Sequence, residues 1–243
     1  MEHIKMKKRY ELILLTSALT IMILTGLCFL QTTPARADDK RDAQQLVEKA
    51  KFTFQNFMAD SNMGVMRDMI KEAKGVFIMP QLLRGAYIFG ISGGSGIFFA
   101  KEKGQQWNGP AFYTVGGASI GLQIGGESSE VVLLAMTDRG VTAFLANNFK
   151  LGGDVDVAVG PIGIGISAQT ANLSGDIISF SRSRGLYGGV SLQGAVVASR
   201  TNLNSAFYKE KVEKPMDILI RPAMASNEAA QAFQAEIAKA AKK

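Results

Sequence analysis

The chain predicts an α+β fold: a single domain with a closed or strongly curved antiparallel β core, barrel-like, and flanking N- and C-terminal helices. Three observations lead there. All but Gly26 and Gly64 of the 26 glycines fall between Gly75 and Gly194. They are woven through short apolar runs of β type, such as Tyr87-Ile88-Phe89, Gly96-Ile97-Phe98-Phe99 and Val131-Val132-Leu133-Leu134. Glycine weakens a strand unless backbones bend sharply or approach closely, so this density implies coiled sheet. A flexible linker would instead be Ser-rich and poor in Ile, Val and Phe. Third, the clearest helical periodicity lies in segments before and after this stretch.

Residues 1–37 read as an export signal. Lys5, Lys7, Lys8 and Arg9 precede an uncharged apolar stretch over residues 12–30, followed by the small-x-small site Ala35-Arg36-Ala37 and the polar Asp38-Asp39-Lys40-Arg41. Cleavage after Ala37 would deliver the chain to the periplasm or cell envelope. The apolar stretch also approaches the roughly 20 residues that span a bilayer, so the alternative is an inner-membrane anchor through residues 12–30. Cys28 follows Leu27 and not a small residue, and reads as one more apolar member of that stretch.

A helical lead occupies residues 38–69. Ala43, Leu46, Val47, Ala50, Phe54, Phe57 and Met58 recur at mostly three- and four-residue intervals and define one face of a helix over 42–59 that docks on the domain. A second helix is expected over 65–73, with Gly75 as its left-handed C-cap. The β-rich domain spans 70–208. Its strand candidates lie near 76–79, 86–91, 96–101, 111–116, 118–124 and 130–136, with turn signals at Gly93-Gly94, Asn108-Gly109-Pro110 and Gly125-Gly126. A short helix follows Asp138, its expected N-cap. Strands resume near 154–160, 162–170, 175–182 and 188–198, and the spacing favours antiparallel pairing. Arg200–Tyr208 reads as helix, and a helical tail over 209–243 is strongest in the Ala-rich segment from Ser226 to Lys242.

Removing residues 1–37 takes away His3 and Cys28, the sole histidine and cysteine, and leaves a net charge of +3. Serine-histidine triads, thiol nucleophiles, disulfides and the usual zinc sites are thereby excluded, and the chain reads as no enzyme, with no cofactor. Carboxylate hydrolysis would need converging acids, for which Asp154, Asp156 and Asp176 are the nearest by strand placement. Gly90-Ile91-Ser92-Gly93-Gly94-Ser95-Gly96 has the composition of a phosphate loop. It lacks the terminal Gly-Lys-Ser/Thr and runs into a strand, so it reads as sheet. No nucleic-acid partner is expected of so mildly basic a chain.

Several blocks carry a more specific signal. Gly85-Ala86-Tyr87-Ile88-Phe89-Gly90 with Gly93-Gly94-Ser95-Gly96, then Trp107-Asn108-Gly109-Pro110-Ala111-Phe112, Gly121-Leu122-Gln123-Ile124-Gly125-Gly126, Leu151-Gly152-Gly153, Ala158-Val159-Gly160-Pro161 and Ser181-Arg182-Ser183-Arg184-Gly185-Leu186-Tyr187-Gly188-Gly189-Val190-Ser191-Leu192-Gln193-Gly194 resemble the SYLF domain family in order and spacing. The resemblance runs from about Ile70 to Tyr208. It implies non-catalytic binding of phospholipids or a membrane surface. Eukaryotic relatives bind phosphoinositides and some engage actin; for an exported chain only the membrane-lipid affinity is carried over. The competing class is a structural or interaction platform for a protein partner in the cell envelope.

Candidate lipid contacts follow from chemistry. Arginine suits phosphate, because its planar fork donates two hydrogen bonds, and Arg182 and Arg184 share one face of an expected strand. Their replacement should weaken anionic-lipid binding and spare the fold. Arg84, Lys101 and Lys103 stand at strand ends. Phe98, Phe99, Phe112 and Tyr113 read mainly as core. Trp107, between Gln105-Gln106 and Asn108-Gly109, reads as a loop-tip indole suited to a membrane interface or to capping the core. An enclosed apolar cavity would indicate a lipid carrier, whereas a filled core would force surface binding.

Overall fold

A computed structural model describes residues 36–86, 89–102, 106–120, 125–164, 173–183, 186–187, 192–208, 212–221 and 227–242. Residues 37–243 form one compact unit. The lead is helix α1 (Arg36–Ala59), a 3-10 turn (Ser61–Met63) and helix α2 (Gly64–Met69). Four long strands follow: β1 (Gly75–Ala86), β2 (Phe89–Lys101), β3 (Trp107–Ile120) and β4 (Gly125–Ala135). Then come α3 (Asp138–Leu145), β5 (Asn148–Lys150), β6 (Val157–Val159), β7 (Ile177–Ser183), β8 (Leu186–Tyr187) and β9 (Val196–Ser199). Helices α4 (Thr201–Tyr208), α5 (Pro215–Leu219) and α6 (Glu228–Ala240) complete the chain.

The strands form one sheet in the order β5-β9-β3-β2-β1-β4-β7-β6, with β8 on β7, and it curls into an open half-barrel. The α+β class with a strongly curved β core and flanking helices therefore holds. Among the described strands every pairing is antiparallel except that of β6 with β7, which run parallel.

The glycines that read as turns lie inside strands. Gly93 and Gly94 sit in mid-β2 opposite Leu83 and Leu82, and Gly126 pairs with Gly85. The reason is close approach: a Cβ at Gly94 would fall on the Gln81 carbonyl oxygen, and one at Gly96 on the Phe77 ring. Gly109, also in a strand, has a φ of 128° and would place a Cβ 2.7 Å from the Phe98 carbonyl oxygen, so only glycine fits it. Gly75 does not cap a helix either. Helix α2 ends at Met69, and Gly75 opens β1 where a side chain would strike the Phe98 ring. The N-cap of α3 is Thr137, one residue before the expected Asp138; its hydroxyl accepts from the Gly140 N–H at 3.1 Å. Residues 162–164 are not strand, and α5 falls within the range 209–243 read as a helical tail, ahead of its strongest segment.

Both faces of the long strands are packed at one end of the sheet, over the first halves of β1 and β3 and the second halves of β2 and β4. One face stacks Phe98 on Phe144 of α3 with ring centroids 3.9 Å apart, and Tyr113 donates its hydroxyl to the Phe144 carbonyl. The other meets Phe54 of α1 and Phe233 of α6, whose rings lie 5.8 Å apart, with Phe99 5.0 Å from Phe233. The expected docking face of α1 is confirmed: Ala43, Val47, Ala50, Phe54 and Phe57 are buried, and Leu46 and Met58 pack against them. Burying each such aromatic contributes about 1.5–3 kcal/mol. The core is filled.

Candidate functional site

Arg182 stands on β7 directly opposite Glu130 on β4. Its Nε donates to Glu130 Oε2 at 2.9 Å, Nη1 lies 3.5 Å from Asp60 Oδ2, and the guanidinium sits 5.8 Å from the centre of the Phe57 ring. Glu130 also accepts from Thr53 Oγ1 of α1 at 3.1 Å. Burial pushes the Asp60 carboxyl up, but hydrogen bonds from the Asn62 N–H and amide, and the Arg182 charge, outweigh it and hold it below the usual range. The cluster clamps α1 and the turn after it onto β4 and β7.

Beside this clamp runs an open groove of about 640 Å³. Helix α1 supplies Lys49, Phe52 and Thr53; the sheet supplies Gln81, Ser128 and Arg182. Phe52 is 66% exposed. A second hollow, about 520 Å³, shares Gln81, Ser128 and Ser183 with the first and carries the groove on to Leu83 and Gly126. Both hollows open to solvent.

The other sequence-predicted residues are scattered. Arg84 registers opposite Glu127, whose carboxyl is held below its usual value first by the Ser183 hydroxyl and further by Ser129 and the Arg84 charge, against a smaller push from burial. Lys101 donates to the Lys71 carbonyl at 3.4 Å and lies 5.9 Å over the Trp107 ring. Trp107 is not at a loop tip: it opens β3, pairs with Lys101 and is only 2% exposed, which decides for the core of its two readings and against the membrane interface. Arg184 and Lys103 lie outside the described residues. The Asp156 and Asp176 carboxylates converge, but on Arg139, whose Nη1 is 3.7 Å from Asp156 Oδ2 and 3.5 Å from Asp176 Oδ2. Asp154 meets Arg139 only through its backbone carbonyl, which accepts from Nη2 at 2.9 Å, while its carboxylate accepts from the Lys150 N–H at 2.8 Å. Among the described residues, no group of three or more His, Cys, Asp or Glu could hold a metal ion.

Sequence reasoning missed Lys49 and Phe52 as site residues. The available signal was that Phe52 is an aromatic standing off the apolar stripe of its own helix.

The sheet is a curled half-barrel with a groove open on its surface. Residues 116–240 match the family model Ysc84, described as "Las17-binding protein actin regulator", and the chain belongs to this family, which carries the SYLF domain. It is 34% identical over 165 residues to human SH3 domain-containing YSC84-like protein 1, covering 65% of this chain and 48% of the relative. The Xenopus laevis protein of that name is 30% identical over 168 residues, covering 68% and 50%. LAS seventeen-binding protein 3 of Saccharomyces cerevisiae is 29% identical over 185 residues, covering 74% and 39%. The chain thus spans about half the length of these relatives or less. The family description names an actin regulator, and the yeast relative's name describes LAS seventeen binding.

Proposed function

We propose that this chain binds anionic phospholipid at a membrane surface, without catalysis, as an exported protein of the periplasm or cell envelope. The observation that carries this reading is the groove between α1 and the sheet. There an exposed aromatic ring, Phe52, and Lys49 line an open surface floored by the hydroxyls of Ser128 and Ser129 and by the Arg182–Glu130 ion pair. Apolar area and a cation on one surface suit an amphiphile with an anionic head. The leader over residues 1–37, with its basic start and small-x-small site, supports export and a mature N-terminus at Asp38. A second reading, a platform for an envelope protein partner, draws on the relatives' names, which describe Las17 binding.

The test is flotation of the protein, purified from envelope fractions, with vesicles of phosphatidylglycerol and phosphatidylethanolamine. Binding is expected at low salt, weaker at high salt, and unchanged by EDTA or reductant, since the mature chain has neither His nor Cys. Failure to float at low salt overturns the reading in favour of the protein platform.

A further inference from the structure

Beyond the reach of α1, one face of the sheet is uncovered, and its cross-strand register sorts it into rows. The row nearest the helices joins Gln81, Ser95, Thr114 and Ala198. Arg200 reaches this row, donating from Nη1 to Ser95 Oγ at 3.1 Å, and among the described residues no carboxylate lies within ion-pair distance of it. The next row joins Leu83, Gly93, Gly116 and Val196, and ends on Lys150 of β5. The outermost joins Gly126, Gly85, Ile91 and Ala118. Among the described residues neither outer row holds an acid; the neighbouring Glu127, which lines the hollow beside Leu83, accepts from the Ser129 and Ser183 hydroxyls. Leu83 is 54% exposed, Ile91 73% and Val196 46%.

The glycines of these rows have no packing reason to be glycine. A Cβ built at Gly85 or Gly116 meets nothing within 4 Å, and at Gly93 or Gly126 it meets only one carbonyl oxygen, at 3.7 or 3.8 Å. This is the reverse of Gly94 and Gly96, which are filled from inside. Bare backbone on an exposed strand face admits close approach from outside.

We propose that this end of the sheet docks on the surface of an anionic bilayer, with Leu83 and Ile91 entering the interface and Arg200 and Lys150 at headgroup level. The inference rests on the lipid-binding reading above and names the surface that performs it. Charge complementarity selects the occupant: apolar rows without acids, backed by unmatched cations, fit an anionic amphiphile layer. The depth also fits, since successive rows are about 7 Å apart and interfacial segments bury about 5–10 Å into the headgroup and acyl boundary.

The test uses full-length protein carrying Cys28→Ser and Ile91→Cys, labelled with an environment-sensitive dye. On phosphatidylglycerol vesicles the label should shift to the blue and lose access to iodide. A label on Met216→Cys, a half-exposed site on α5, should not change. In parallel, Leu83→Asn with Ile91→Asn should weaken vesicle partition by about tenfold or more, while Met216→Asn with Ile220→Asn leaves it unchanged. If the protein floats but the label at 91 stays exposed, the lipid reading stands and this surface is overturned. Equal losses from both double variants would also overturn it. If wild type does not float, both readings fall. Should the asparagine pair impair folding, the single-site labels still decide the matter.

Discussion

Arg182 Nε donates to Glu130 Oε2 at 2.9 Å across two neighbouring strands, and the same guanidinium reaches Asp60 at 3.5 Å in the lead segment. One side chain thereby fastens the lead to the sheet. Its side chain is 25% exposed and that of Asp60 8%. The expectation that replacing it would spare the fold therefore changes: Arg182→Gln leaves two carboxylates without their cation. It should lower stability by about 1–3 kcal/mol, whereas Lys150→Gln, at an exposed position, should change it by less than about 0.5 kcal/mol. Chemical denaturation of the two variants checks this. Equal midpoints would remove the clamp.

Acid should loosen the same regions. The Asp60, Glu127 and Asp176 carboxyls are all held below their ordinary values of 3.8, 4.5 and 3.8. For Asp176 the first cause is the Thr137 hydroxyl, followed by an opposing push from burial, then the Asp156 N–H and the Arg139 charge. A carboxyl depressed in the folded state stabilises fully above its unfolded value, and that stability is lost as pH falls through the folded value. Stability should thus be flat near neutrality and fall below about pH 4. Asp176→Asn should start lower at pH 7 and show a shallower acid decline, measured by thermal melts from pH 7 to 2.5.

The two glycine environments predict opposite outcomes for one substitution. Gly96→Ala drives a methyl group into the Phe77 ring and to 2.7 Å from the Ile78 carbonyl oxygen, and should cost about 1–3 kcal/mol. Gly116→Ala, with nothing within 4 Å, should be neutral or stabilising by up to about 1 kcal/mol. Denaturant midpoints would separate them, and a destabilised Gly116→Ala would contradict the open face.

Trp107 is the sole tryptophan, so its fluorescence reports one site. Buried against the core with Lys101 beside it, it should emit in the blue, resist acrylamide, and keep its spectrum when anionic vesicles are added. A vesicle-induced shift would return it to the interface.

Sequence alone determined the docking stripe of α1, the α+β class and the family, because each is written in local periodicity or in ordered short blocks. The stripe from Ala43 to Phe57 needs only the 3.6-residue repeat to be read. Composition likewise leaves residues 38–243 with neither histidine nor cysteine. The tertiary structure decided what depends on register between distant strands. Only pairing reveals that Gly93-Gly94 lies inside a strand, that Trp107 turns inward, and that Arg182 meets Glu130 and Asp60. The same holds for the rows that set Leu83 beside Gly93 and bring Arg200 to Ser95. A one-residue change of register reverses every side chain's face, so no reading along a single strand could have assigned that surface.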